Sequence, residues 1–129
     1  MDRDANVWNE LALFVTRQDK DGKVWGPQEK VDRKDMLKMV TRWAAEYVLR
    51  GDRLGSLERG KVADLVILDR DFLAIPEKEI SEIQPLMTML GGETVFLRTD
   101  FAKEQGLQDR KSTRLNSSHI QKSRMPSSA

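Results

Sequence analysis

The chain has 129 residues, room for one small domain, and its 39% hydrophobic and 33% charged residues suit a soluble globular segment better than a disordered one. It has no cysteine, which excludes disulfides and thiolate metal sites, and no apolar run approaches the ~20 residues of a membrane span. The net charge of +1 is unevenly spread: residues 109–129 carry five basic residues and one acid, leaving 17 basic against 20 acidic residues elsewhere, a net of −3 that argues against a nucleic-acid surface.

Met1 is followed by Asp-Arg-Asp, not by a basic and then apolar stretch, so no signal peptide is expected there. Residues 7–17 place Val7, Trp8, Leu11, Ala12 and Val15 on one face at helical spacing, with Asp4 or Asn6 as the cap. Asp19-Lys-Asp-Gly22 is a turn signal. It has a faint likeness to a calcium loop, but the glycine comes too early and no closing Glu falls at the required spacing, so a surface turn is the reading. Val24-Trp25-Gly26-Pro27 should be extended, because proline disfavours helix at the residue before it, and Trp25 is expected to anchor the core.

A second helix follows Asp32, with Asp35 three residues on as in a capping box. Met36, Met39, Val40, Trp43, Ala44, Tyr47 and Val48 form one stripe, read as ordinary core rather than as a cofactor box. Arg50 suits the negative end of the dipole, and Gly51 is the expected left-handed stop. Leu54 to Gly60 reads as a short strand and turn. Leu65-Val-Ile-Leu68 is continuously apolar, as in a strand buried on both faces. Ile75-Pro76 opens a loop, and Glu77 to Ile83 suits a short turn of helix. Leu86 to Leu90 and Thr94 to Leu97 are strands joined at Gly91-Gly92, a strong hairpin signal. No internal repeat is visible. The apolar faces of so few elements need partners, which makes this a poor independent domain.

From Asp109 the composition shifts to Ser, Arg, Lys, Asn and Pro without an apolar period. Residues 109–119 resemble one translated frame of a common short-read sequencing adapter. After a short index, residues 123–129 resemble its continuation in the same frame. We therefore expect residues 109–129, including the chain's one histidine, His119, to be an adapter-derived, disordered artefact and leave them out of the functional reading. The competing reading, a basic nucleic-acid arm, lacks interleaved aromatics for base stacking.

The run from Leu54 to Asp69, Leu-Gly-Ser-Leu-Glu-Arg-Gly-Lys-Val-Ala-Asp-Leu-Val-Ile-Leu-Asp, resembles a C-terminal signature of the amidohydrolase superfamily, with Arg59 where that family usually has proline. Met36 to Ala45 resembles the family's preceding helix, and Met87 to Val95 its closing Gly-Gly hairpin. With the Trp-Gly-Pro loop, the pattern over roughly residues 4–98 is most similar to the YtcJ-like branch, amidohydrolase family three. The resemblance implies an α+β chain: residues 1–50 as the last helical part of a metal-bearing (β/α)8 barrel, and 51–98 as strands of the composite β-sandwich domain of metal-dependent hydrolases. Residues 99–108 would be a short terminal segment.

The activity implied is hydrolysis of non-peptide C–N bonds of small amide substrates. The resemblance implies a divalent metal, zinc by expectation, in the parent enzyme, which would lower the pKa of bound water and polarise the carbonyl. Its ligands in the family are mainly barrel histidines. The body has neither histidine nor cysteine, so no metal ligand or catalytic residue is assigned, and the segment by itself should bind no metal and be inactive. It would need the missing N-terminal part of its own chain, which would also carry the substrate-facing loops. The family's strand-end aspartate would fall near Asp2 or Asp4, without its flanking Gly-Ser-Asp pattern; capping or exposure is the plainer reading for either. Asp64 is expected to accept backbone N–H groups at a strand end. Lys61 and Glu58 are read as turn-surface charges, and Gly55, Gly60, Gly91 and Gly92 as backbone-geometry positions. The alternative is a non-catalytic β-rich interaction module presenting its strand edges and the faces of Trp8 and Trp25.

Overall fold

The computed structural model describes residues 6–108; Asp2, Asp4 and residues 109–129 lie outside the described residues. Helix α1 spans Val7–Thr16. Asn6 is the cap, its side-chain oxygen accepting the Trp8 N–H at 3.1 Å and so satisfying one of the free amides of the first turn. Arg17 ends α1 in the left-handed region at φ 59°. An isolated bridge between Gln18 and Val24 then closes the Asp19–Gly22 turn.

Trp25 departs from its expected place: it is 52% exposed. Its indole N–H donates to Asp19 Oδ2 at 2.7 Å, and the Lys23 ammonium sits 3.7 Å from its ring centroid. A ring held by a local carboxylate and a cation over its face has no need of the core. Phe72 fills that role instead, buried and 6.5 Å from the Trp8 ring.

The expected second helix is two. Helix α2 is Arg33–Val40, capped by Asp32, which accepts from the Lys34 and Asp35 N–H groups. Helix α3 is Arg42–Tyr47. Between them Thr41 leaves helical geometry at φ −122°, ψ −89°. Its hydroxyl donates to the Leu37 carbonyl at 2.6 Å, a β-branched side chain bonding back into the preceding turn and bending the helix there. The break splits the apolar stripe. Met36 reaches the core beside α1, whereas Met39, Val40, Trp43, Tyr47 and Val48 are exposed, so the stripe is not core in this chain.

The stop also differs. Leu49, not Gly51, carries the positive φ, 58°. The Leu49 N–H donates to the Glu46 carbonyl and the Arg50 N–H to the Ala45 carbonyl, the paired bonds of a Schellman ending. This ending needs its left-handed residue two positions past the last helical residue, and α3 stops at Tyr47, too early for Gly51 to serve.

The strands are β1 (Leu65–Leu68), β2 (Pro85–Leu90) and β3 (Glu93–Leu97), in one antiparallel sheet of order β1-β2-β3, so the chain is α+β. Leu65 lies opposite Met89 and Ile67 opposite Met87; Leu90 lies opposite Glu93. Gly91 and Gly92, at φ 57° and 81°, form the two-residue turn whose backbone twist matches that of the flanking strands. Pro85, lacking an N–H, sits at the first position of β2, where the register also shifts. Residues 54–60 form turns and bends rather than a strand. As an edge strand β1 is half-exposed, not buried on both faces: Val66 and Ile67 face solvent.

Glu77–Glu82 forms a 3₁₀ turn that carries Ile80, and Ile83 follows it; both are fully buried. With Leu11, Val15, Met36 and Phe72 they make the core, against which Trp8, Val31, Leu37 and Leu68 also pack. Arg33 ties α2 to this core by donating to the carbonyls of Phe72 and Ile75. The segment 99–108 holds a helix that pattern reading did not foresee, α4 (Thr99–Gln105), ended by Gly106 at φ 62°. Among the described residues no helix is long and apolar enough to cross a membrane.

Candidate functional site

The signature residues 54–64 converge with the hairpin tip and the end of α3. Asp64 Oδ1 accepts the Gly91 N–H at 2.7 Å, and the Ala63 carbonyl accepts the Gly92 N–H at 3.0 Å. The two glycines that make the hairpin possible thus also present their amides to the start of β1. Asp64 satisfies a turn amide, the strand-end role expected of it.

Lys61 is not the surface charge that its neighbours suggest. Its side chain is only 16% exposed, and its ammonium donates to the Gly51 carbonyl and to Ser56 Oγ, both at 2.7 Å. Ser56 in turn donates to Glu58 Oε1 at 2.7 Å, and Lys61 lies 3.6 Å from the same carboxylate. The Ser56 hydroxyl first, then the Lys61 charge, hold the exposed Glu58 carboxyl below the usual glutamate range. Lys61 therefore staples the end of the α3 segment to the turn. Periodicity had no means of finding this, because the bond joins residues ten apart across a loop.

Gly55 and Gly60, at φ 88° and 89°, bracket this network. Gly60 has open space around it. A Cβ on Gly55 would meet Ala45 Cβ at 2.8 Å and Arg42 Cα and the Thr41 carbonyl oxygen at 2.9 Å. The bare Cα is what allows the turn to press onto α3, and Ala45 is buried there.

Beside this contact an apolar groove of about 670 Å³ opens between α3, the 54–57 turn and the sheet. Val40, Ala44, Val48, Leu57, Val66 and Leu90 are among its lining residues. Tyr47 and Leu49, each 89% exposed, lie just beyond it along α3 and its Schellman ending. Side chains of this size would gain about 1.5–3 kcal/mol each on full burial, so the surface is adhesive.

The site holds no set of metal donors. Residues 6–108 contain no histidine or cysteine, and among the described residues no three of His, Cys, Asp or Glu converge to hold an ion. The residues described therefore do not fit the catalytic metal that the resemblance implies. The Asp19 carboxylate of the 19–22 turn is engaged locally. Asp19 accepts from Trp25, Lys23 and Asp21, and the Trp25 indole first, then the Lys23 amide, hold it below the ordinary aspartate range. What the arrangement offers chemically is cohesion: a stapled turn, a docked hairpin and an apolar face.

Comparison with known proteins gives two matches. The Amidohydrolase family matches residues 2–96. The chain is also similar to an N-substituted formamide deformylase of Arthrobacter pascens, 36% identical over 85 residues. That stretch covers 66% of this chain and 16% of the relative. No solved structure matches.

Proposed function

This chain belongs to the Amidohydrolase family, and from that premise we propose that it is the C-terminal scaffold of a metal-dependent enzyme, of the YtcJ-like branch, that hydrolyses non-peptide C–N bonds of small amides. In this reading α1 to α3 are the last helical part of a (β/α)8 barrel. The sheet β1-β2-β3 belongs to a composite β-domain completed by other parts of the parent chain. The ion, zinc by preference, is gripped by histidines of the parent outside this sequence, and the segment alone is inactive. The relative's name puts an N-substituted formamide within the proposed substrate class.

One observation carries the reading: the surface lined by the family signature is apolar and open, while no three His, Cys, Asp or Glu converge on an ion among the described residues. A chain that brings adhesive surface without the catalytic groups suits a part that packs against the remainder of an enzyme. That the relative extends far beyond the matched stretch agrees with this.

The test extends the reading frame upstream of Met1. The extended protein is expected to contain a His-x-His strand, to bind stoichiometric zinc and to release amine from a simple amide. The polypeptide of residues 1–108 alone is expected to do neither. Stoichiometric zinc together with amide hydrolysis by residues 1–108 would overturn the proposal.

The second reading, a non-catalytic module that docks onto another protein, draws on the same groove and on the open edges of β1 and β3. It draws less on the tryptophans. Trp8 packs against Phe72, and Trp25 is occupied by Lys23 and Asp19. An upstream frame without barrel histidines would favour this second reading.

A further inference from the structure

We draw no further inference here: the strongest candidate, the apolar groove between α3, the 54–57 turn and the sheet, belongs to the site already described, and nothing in the structure shows a second occupant for it.

Discussion

Replacing Gly55 by alanine tests whether the signature turn is held to α3 by close backbone approach. Two costs combine. At φ 88° an L-residue pays about 1–2 kcal/mol of local strain. The new Cβ would also stand 2.8–2.9 Å from Ala45 Cβ, Arg42 Cα and the Thr41 carbonyl. Two of those atoms are backbone and the third is a Cβ, so no rotamer change relieves the clash, and overpacking of this kind costs about 1–3 kcal/mol. The expected loss for Gly55→Ala is therefore about 2–5 kcal/mol, a large share of the stability of a small domain. Gly60→Ala is the control, because its φ is 89° and nothing lies within 4 Å of the added methyl. It carries the strain alone, about 1–2 kcal/mol. The gain from a less flexible unfolded chain is common to both variants and cancels in their difference. Urea unfolding of the polypeptide carrying this segment, followed by tryptophan fluorescence, should place Gly55→Ala below Gly60→Ala by about 1–3 kcal/mol. Equal losses, or a loss under about 0.5 kcal/mol for Gly55→Ala, would refute the close approach.

Four further outcomes follow from the same geometry. Lys61→Met removes both 2.7 Å bonds that staple the turn to Gly51 and Ser56, and a loss of about 1.5 kcal/mol is expected in the same unfolding assay, against none for a free surface lysine. Asp64→Ala frees the Gly91 amide and should cost about 1 kcal/mol while leaving kcat of the proposed upstream-extended protein within a few-fold; a hundredfold fall in kcat at a temperature where that protein stays folded would make Asp64 catalytic. In the polypeptide of residues 1–108, where Leu49 is exposed, Leu49→Gly relieves a left-handed leucine at the price of a more flexible unfolded chain, so a net stabilisation of about 0.5–1 kcal/mol is expected, read as a raised urea midpoint. Asp19, whose folded carboxyl lies below its unfolded value, contributes stability that is present above about pH 4 and lost as the pH falls through the folded value. Acidification should therefore change Trp25 fluorescence, and Asp19→Asn should abolish that acid transition; an unchanged transition in the variant would assign it elsewhere.

Much of this architecture was legible in the residue order, because the signals concerned are local. The apolar spacing of α1, the Asp32 cap, the β-branched run of β1 and the Gly91-Gly92 hairpin each depend on residues within one or two turns of chain. The family was legible because its motifs are backbone requirements: the glycines sit where positive φ is needed, and Asp64 where turn amides need an acceptor.

Tertiary structure alone decided which apolar faces are covered. The α2–α3 stripe has the pattern of core residues, yet one threonine hydroxyl bonding back to Leu37 divides it, and only Met36 of the stripe is buried. Trp25 leaves its expected core place, which Phe72 fills, because a carboxylate and an ammonium six and two residues away claim the indole. Lys61 is a staple only because α3 and the signature turn meet, which the open Cα of Gly55 permits. Hydrophobic periodicity records which side of an element seeks burial; what covers that side depends on contacts between residues distant in the chain, and those exist only once the elements have packed.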